Sequence, residues 1–328
     1  MLPLPSQMDI HKAVERAISG DPLEAEEGLR LFELPLADLM WGASRVREHF
    51  FGRGVKLCAI VNAKSGRCPE DCAFCAQSAH HRAKIEVYPL MSPEEILRRA
   101  KEAEAMGARR FSIVTSGRSP SERELDRIAE AVAAIRKETS LIPCASLGLL
   151  DLGKAQRLRE AGLECYHHNL ETARSFFPHI CTTHPYEDDM ETLRVAQDAG
   201  LEVCSGGIFG LGESRQQRVE LALTLRELGV KSIALNFLHP IPGTKLERQR
   251  PLPPAELLRS VAVFRLMLPD RDIRICGGRA FGLRDLHPLV IPAGANGLMI
   301  GNYLTTRGRN YKDDLQMLKD LELEVAHG

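Results

Sequence analysis

Long apolar stretches are missing from this sequence. No run approaches the roughly 20 apolar residues that a helix needs to span a bilayer, and the N-terminal segment lacks the charged-then-apolar layout of a secretory signal. Net charge is also nearly absent, at −1, which gives no reason to expect a nucleic-acid or membrane surface. Together these absences predict a soluble, cytoplasmic protein.

Internal repeats and low-complexity linkers are absent as well. The 328 residues, 44% of them hydrophobic, suffice for a large domain with an ordinary core. The nine cysteines therefore need an explanation. A reducing cytosol and an odd count both argue against disulfides, which leaves metal or redox chemistry. A role as small buried hydrophobic residues stays open for Cys58, Cys165 and Cys181.

Short apolar runs alternate with helical patterns along most of the chain. Such runs are typical of strands buried on both faces, and helix starts such as the capping box at Ser92 separate them. Eight alternating pairs predict a (β/α)8 barrel, with an open doubly wound sheet as the alternative. We expect an N-terminal helical extension in residues 1–50, the barrel in 51–310 and a C-terminal helix in 311–328. The predicted strands are 57–62, 111–116, 142–148, 164–170, 202–210, 233–238, 273–278 and 297–302.

The loop after the first predicted strand carries three closely spaced cysteines, Cys68, Cys72 and Cys75. In such barrels the reactive groups lie at the C-terminal ends of the strands and in the loops that follow. Thiolates are the soft ligands that iron–sulfur clusters require. Three of them leave one iron of a four-iron cluster open for a substrate. A zinc site, which normally has four ligands, is the weaker alternative.

This cysteine spacing resembles the signature of the radical S-adenosylmethionine superfamily. The resemblance implies a [4Fe-4S] cluster that, after one-electron reduction, cleaves S-adenosylmethionine to a 5′-deoxyadenosyl radical, with Phe74 stacked beside the adenine. The segment at Gly206, Gly207 and Ile208, which continues to Glu213, is similar to the motif that packs against the adenine in this superfamily. An electron donor such as flavodoxin or ferredoxin is implied as a partner.

Several further stretches closely resemble the biotin synthase family, in register from about residue 35 to the end. That family inserts sulfur into dethiobiotin, whose unactivated C–H bonds need a radical because they have no useful acidity. The resemblance implies two S-adenosylmethionine molecules for each biotin, an auxiliary iron–sulfur cluster as the sulfur donor, [2Fe-2S] in the family, and a homodimer. The stretches are NAKSGRCPEDCAFCAQSAHH, HHNLET, CSGGIFGLGE, LNFLHPIPGT, GGRAFGLRDLHPL and AGANGLMIGNYLTT.

By resemblance, the family's ligands to the auxiliary cluster occur in this sequence at the matching positions, with one exception. Cys144, Cys204 and Arg274 fall on family positions, but Ser112 stands where the family has the remaining cysteine. A serine oxygen is a hard, weak ligand for iron, so the resemblance does not establish the usual two-iron cluster here.

A substitute lies nearby in the sequence. Cys276 follows Arg274 by two residues on the same predicted strand, and strand alternation sends both side chains to one face. We hypothesise that Cys144, Cys204 and Cys276 hold an auxiliary cluster of four irons, with Cys165 as a reserve ligand. A core position is the alternative for Cys276.

Polar residues near the ligands also carry over from the family. Asn169 would contact the region of both S-adenosylmethionine and dethiobiotin. Glu171, which replaces the usual Asp, would contact a ribose hydroxyl. His167 and Asn236 would contact the dethiobiotin. Asp189 stands where the family commonly has an Arg near the methionyl carboxylate, so this contact is made otherwise or is absent. For each residue, a satisfied hydrogen bond inside the barrel is the alternative.

Other functions remain as alternatives. A hydrogenase-maturation enzyme would share the cysteine loop but would not need Asn236. Lipoyl synthases carry an extra cysteine triplet before the barrel, and residues 1–57 contain no cysteine. A non-catalytic iron–sulfur carrier would not require the motif that ends at Glu213.

Overall fold

Eight parallel strands form a closed barrel in the computed structural model, which describes residues 8–326. Residues 1–7 and 327–328, where the predicted N-terminal extension begins and the predicted C-terminal helix ends, lie outside the described residues. Each strand pairs with the next, and the last pairs with the first. The barrel prediction is confirmed, and the open-sheet alternative is wrong. The strands are β1 Gly54–Lys64, β2 Arg110–Thr115, β3 Ile142–Ser146, β4 Cys165–His167, β5 Glu202–Phe209, β6 Ser232–Phe237, β7 Asp272–Ile275 and β8 Gly297–Met299.

Helices precede the barrel and follow its strands. At the start of the helix after β1, Ser92 accepts from the backbone N–H of Glu95 at 3.3 Å, so the N-cap half of the predicted capping box is confirmed. The Glu95 carboxylate instead accepts from Arg98, at 2.6 and 2.8 Å. None of the helices within residues 8–326 is long and apolar enough to cross a membrane. The helices are α1 Ile10–Ser19, α2 Ala25–Leu31, α3 Leu36–Phe51, α4 Pro93–Ala105, α5 Glu122–Glu138, α6 Leu152–Glu160, α7 Tyr186–Asp198, α8 Arg215–Glu227, α9 Pro254–Met267, α10 Arg279–Leu283 and α11 Tyr311–Asp320; two 3₁₀ helices cover Phe177–His179 and Arg284–Val290.

Alternation along β1 separates the core from the barrel interior. Leu57 and Val61 are buried in the main hydrophobic core, whereas Cys58 and Ile60 line the interior cavity. Successive strand side chains point to opposite faces, so one residue in two reaches the cavity. This parity decides which cysteines meet inside the barrel.

The C-terminal segment differs from its prediction. The helix α11 ends at Asp320, and Glu324–Val325 form a short strand, β9, that pairs with the start of β1. Glu322 has a left-handed φ of 56°, which turns the chain between the two elements. A bidentate ion pair between Arg279 and Asp314, both fully buried, fixes α11 to α10 at 2.6 and 2.9 Å.

Candidate active site

One cavity of about 430 Å³ extends from the C-terminal mouth of the barrel into its interior. The three loop cysteines, Cys68, Cys72 and Cys75, line its mouth. Backbone hydrogen bonds hold their loop: the N–H of Cys75 donates to the carbonyl of Cys72 at 2.9 Å, and that of Cys68 donates to Gln77 at 3.0 Å. The structure therefore brings together the three residues that the sequence predicted as cluster ligands.

The loop cysteines suit a cationic metal centre. Burial raises the pKa of Cys75 to about 11, and the hydrogen bond that the Cys72 thiol donates to Cys181, together with burial, raises the pKa of Cys72 well above its usual range. The thiols of Cys72 and Cys75 therefore stay protonated until a cation compensates the charge of their thiolates. Metal binding that displaces these protons is the chemistry of iron–sulfur sites, so the donor set fits the expected cluster.

Phe74 lies in a small apolar cluster at the mouth of the cavity. Ile180, Leu211 and Leu238 are buried there, and Phe74 and Ile208 pack against them. An aromatic ring and an aliphatic side chain beside the cysteine loop offer a surface for a flat heterocycle. The adenine contacts predicted for Phe74 and Ile208 remain predictions.

The glycines that precede Ile208 have a packing role of their own. A Cβ on Gly206 would lie 1.9 Å from the carbonyl oxygen of Ala234 on β6, and one on Gly207 would lie 2.5 Å from that of Glu171. These positions require glycine because neighbouring backbone approaches so closely. Within residues 8–326 the lining of the cavity does not include them, so their predicted cofactor contact stays a prediction.

Deeper in the cavity lies a second group of sulfur atoms. Cys144, Cys204, Cys276 and Arg274 all line the interior, so Arg274 and Cys276 share a face as strand alternation predicted. Arg274 Nε donates to Ser232 Oγ at 2.9 Å, and Ser232 Oγ donates to Cys204 Sγ at 3.3 Å. A cationic side chain thus lies among thiols, where it would favour their charged forms.

Cys58 is a candidate ligand that sequence reasoning missed. Its side chain faces the interior from β1 and contacts Cys276; this contact and the charge of Arg274 lower the pKa of Cys58. Cys204 and Cys276 belong to the same small cluster of side chains. Alternation along β1 was the available signal, because it places Cys58 and Ile60 on the same face. The reserve candidate Cys165 also lines the cavity and contacts Cys144.

Among the described residues 8–326, several polar atoms on the cavity wall are buried without a hydrogen-bond partner. They are Arg110 Nη1, Ser112 Oγ, Asn169 Oδ1, Arg274 Nη1 and Tyr303 Oη. Leaving a polar group buried and unpaired costs about 1–3 kcal/mol. A wall with this many free donors and acceptors fits a polar or charged occupant, as the two predicted clusters and their substrates would be.

The residues predicted to contact the substrates differ in how many of their polar atoms already form hydrogen bonds within the protein. Asn236 Oδ1 accepts from Gly277 N–H at 2.8 Å and its Nδ2 donates to the carbonyl of Gly207 at 3.3 Å, so this amide braces neighbouring strands. Asn169 Nδ2 donates to Glu171 at 3.3 Å, and its Oδ1 has no partner in the part of the chain that the structure describes. His167 lines the cavity, and burial lowers its pKa, which keeps the imidazole neutral.

Glu171 combines burial with a strained backbone. Burial raises its pKa to about 7, and its φ of 62° lies in the left-handed region. Its N–H donates to Gly206 at 3.1 Å and its carbonyl accepts from Ile208 at 2.8 Å, and these bonds hold the conformation. Strain that the surroundings maintain is common at functional sites.

Asp189 is held by two histidines. Its Oδ1 lies 2.7 Å from His168 Nε2 and 3.2 Å from His184 Nε2, and His184 Nδ1 lies 2.6 Å from Glu70 Oε2. Burial opposes the charged imidazole, but the hydrogen bonds to Asp189 and Cys181 outweigh it and raise the pKa of His184 to about 11. The carboxylate is therefore neutralised within the protein. Sequence reasoning singled out neither His184 nor Glu70.

Comparisons with known proteins identify the family. Residues 63–225 match the radical SAM superfamily model and residues 234–324 the biotin and thiamin synthesis associated domain. The chain is 57% identical over 315 residues to biotin synthase of Geobacter metallireducens, covering 95% of this chain and 96% of that protein. It is 58% identical to biotin synthase of Geobacter sulfurreducens, and the match covers 94% of this chain and 95% of that protein. The chain belongs to the biotin synthase family.

Membership in the biotin synthase family confirms the resemblance drawn from the sequence and does not favour the alternatives. It makes the chain a radical S-adenosylmethionine enzyme with a [4Fe-4S] cluster. Solved structures agree on the fold: methylornithine synthase superposes with a TM-score of 0.84 at 22% identity, covering 96% of this chain and 97% of that one. A maturase of the [FeFe]-hydrogenase superposes with a TM-score of 0.83 at 17% identity, covering 99% of this chain and 76% of that one.

Proposed function

We propose that this enzyme inserts sulfur into dethiobiotin to give biotin, with the S-adenosylmethionine cluster on the loop cysteines and an auxiliary cluster deeper in the barrel. One observation carries the proposal: a single cavity is lined by three cysteines at its mouth and by further cysteines and an arginine inside. Two sulfur-rich sites within one enclosed space suit a reaction in which a radical forms at one and sulfur comes from the other.

The protein's part in this chemistry is to hold the clusters, orient the substrates and exclude water. S-adenosylmethionine at the reduced first cluster supplies the radical that removes hydrogen from an unactivated C–H bond. Phe74 and the aliphatic residues around it offer a dry surface for the adenine. Asn169 and Glu171 offer acceptors to the ribose, and their place between the two sulfur sites suits a substrate that must reach both.

For the auxiliary cluster we propose four interior cysteines, Cys58, Cys144, Cys204 and Cys276, with Arg274 beside them. Cys58, Cys144 and Cys204 lie on β1, β3 and β5, and Cys276 directly follows β7. In such barrels each layer of interior side chains comes from alternate strands. Arg110 and Arg274 add positive charge that compensates an anionic cluster. Cys58 thereby supplies the thiolate that Ser112 lacks, and a cluster of four irons fits this set.

Iron and sulfide counts on anaerobically reconstituted protein test the ligand set. Cys58→Ala and Cys276→Ala are expected to keep the first cluster and lose the iron of the second, whereas Cys165→Ala keeps both. If Cys165→Ala loses the second cluster and Cys58→Ala retains it, the reserve ligand replaces Cys58 in the set. If all three variants match the wild type, the interior site is wrong.

An anaerobic assay with dithionite, S-adenosylmethionine and dethiobiotin tests the reaction. Biotin and 5′-deoxyadenosine are expected from the wild type and neither from Cys72→Ala. Deoxyadenosine without biotin would keep the radical step and refute the substrate. A flavodoxin or ferredoxin as electron donor, a homodimer, a cytoplasmic location and the division into residues 1–50, 51–310 and 311–328 belong to the same proposal.

A further inference from the structure

The loop that carries the three cysteines also borders an open groove of about 520 Å³ on the protein surface. The side chains that line this outer groove are Asp71, His80, His81, Arg82, Thr244, Lys245 and Glu247. Within residues 8–326 none of them lines the catalytic cavity, whereas Cys68, Cys72 and Cys75 do. The cysteine loop therefore lies between the cavity and the outer groove.

Hydrogen bonds connect the wall of the outer groove to the cysteine loop. His81 Nδ1 lies 2.8 Å from the carbonyl oxygen of Cys75, and His80 Nε2 lies 2.9 Å from that of Pro69. A carbonyl oxygen only accepts, so each ring nitrogen donates. One hydrogen bond thus separates a side chain of the groove from the backbone of a proposed cluster ligand.

A second segment, residues 243–250, completes the outer groove. The N–H of Arg82 donates to the carbonyl of Gly243 at 2.9 Å. A Cβ on Gly243 would lie 2.6 Å from the carbonyl carbon of Arg82, so the two backbones are in close contact. The groove is therefore a fixed part of the surface, built by the segment after the cysteine loop and the segment after β6.

The two segments and the cysteine loop expose more positive than negative charge, although the whole chain has a net charge of −1. Six exposed cations face two exposed carboxylates, Glu86 and Glu247. Glu247 already accepts from Gly243 N–H at 2.7 Å, and the half-buried Asp71 accepts from Thr182 N–H at 2.8 Å. The cations are Arg67, Arg82, Lys84, Lys245, Arg248 and Arg250.

Most of these cations have no acidic partner within the protein. Among the described residues, only Arg248 forms an ion pair, with Glu247 at 3.8 Å. Several cations on the barrel helices are paired instead: Lys101 Nζ lies 2.6 Å from Glu138, and Arg215 Nη2 lies 2.7 Å from Glu256. The charge around the outer groove is therefore available to an anionic surface from outside.

The chemistry of a radical S-adenosylmethionine enzyme requires such a visitor. Each cleavage of S-adenosylmethionine consumes one electron, which has to reach the cluster from another molecule. Electron transfer slows steeply with distance, so the donor has to approach the cysteine loop. The inner side of the loop faces the cavity that holds the substrates, which leaves the outer side for the donor.

We propose that the outer groove is the docking surface for an acidic one-electron carrier protein, which reduces the cluster across the cysteine loop. The carrier loses one electron and the oxidised cluster gains it, and no bond breaks in this step. The inference rests on the proposed ligation by the loop cysteines. Complementary charge raises the rate of association and loses its effect as salt is added.

The test measures how fast a reduced flavodoxin, an acidic protein, reduces the cluster of the full-length, anaerobically reconstituted enzyme in a stopped-flow instrument. The variant Arg82→Glu/Lys245→Glu is expected to lower the second-order rate constant about tenfold at low ionic strength. The difference should shrink at high ionic strength. Arg82→Gln/Lys245→Gln, which removes charge without reversing it, should fall between the variant and the wild type.

A small cationic reductant, the methyl viologen radical, separates docking from damage to the cluster. It gains nothing from a cationic groove, so the double Glu variant should react with it at least as fast as the wild type. Lys231→Glu is the matched control variant. Lys231 is exposed and directly precedes β6, at the opposite end of the barrel from the cysteine loop, and its replacement should leave the flavodoxin rate unchanged.

Three outcomes would overturn the inference. The first is a double Glu variant that flavodoxin reduces as fast as the wild type. The second is an equal loss of rate with flavodoxin and with methyl viologen, because the substitutions would then act on the cluster itself. The third is an equal loss in Lys231→Glu, which would show that only the total charge matters.

A measurement on the wild type alone keeps the inference testable if the double Glu variant does not fold. Oxidised flavodoxin should protect Lys84 and Lys245 from acetylation, detected by mass spectrometry, and should leave Lys231 reactive. Equal reactivity of all three lysines with and without flavodoxin would contradict docking at the groove. A wild type without the four-iron signal would instead refute the proposed ligation, and neither measurement depends on whether dethiobiotin is the substrate.

Discussion

Single side chains in the cavity combine burial with charge, and Glu171 shows the consequence most directly. Burial raises its pKa to about 7 from an ordinary value of 4.5. The folded state therefore binds this proton more tightly than the unfolded chain does. Its contribution to stability is present at low pH and is lost as the pH rises from about 4.5 to about 7.

The same shift predicts that the binding of S-adenosylmethionine depends on pH. The carboxylate accepts hydrogen bonds from ribose hydroxyls better than the neutral acid does, so affinity should rise with pH by up to roughly tenfold between pH 6 and 8. Anaerobic equilibrium dialysis measures it. Glu171→Gln should bind more weakly at pH 8 and show little pH dependence. A wild-type affinity that is flat over this range would contradict the assignment.

Gly206 illustrates a single position fixed by backbone packing. Because a Cβ would lie 1.9 Å from the carbonyl oxygen of Ala234, Gly206→Ala should lower the free energy of unfolding by about 1–3 kcal/mol or more. Chemical denaturation measures it. Gly153→Ala is the control: it lies in α6 with only a contact at 3.4 Å, and alanine there should be neutral or stabilising. Equal effects of both substitutions would contradict the packing argument.

At the scale of elements, the stability of the fold should depend on how its last helix, α11, is attached. Arg279 and Asp314 form a bidentate pair that is fully buried between α10 and α11. Removing one partner leaves the other charge uncompensated, so Asp314→Ala should cost about 3–5 kcal/mol of unfolding free energy.

An exposed ion pair provides the comparison for α11. Glu102→Ala breaks the pair with Arg98, whose side chains are about half exposed, and such pairs contribute about 0–1 kcal/mol. Thermal unfolding of the two variants side by side measures the contrast. If Asp314→Ala costs no more than Glu102→Ala, the buried pair does not hold α11.

At the scale of the whole molecule, the clusters should act as part of the core. Within residues 8–326 the cavity wall carries polar atoms that are buried and unpaired. Occupants that pair with them bind the folded state alone, so loading should raise the melting temperature. Anaerobic calorimetry should find the apo protein least stable and Cys276→Ala intermediate. An apo protein as stable as the loaded one would show that the cavity holds its shape without an occupant.

The fold followed from the sequence because alternation between short apolar runs and amphipathic helices is a local property of the chain. All eight predicted strands occur. Their ends differ: β4 stops at His167 and β8 at Met299, short of the predicted 170 and 302. The residues beyond leave the hydrogen-bonded ladder to form the mouth of the cavity, and periodicity carries no information about where that happens.

The candidate site likewise contains residues that the sequence could predict and residues that only the fold brings together. The sequence by itself determined the loop cysteines, since their spacing within one loop brings them together whatever the rest of the chain does. It also placed Arg274 and Cys276 on one face. Only the tertiary structure decided that Cys58 meets Cys276 from the far end of the chain, and that Cys181 lies against Cys72. Contacts between distant segments depend on how the barrel closes, because closure sets which inward side chains share a level and which loops meet above them.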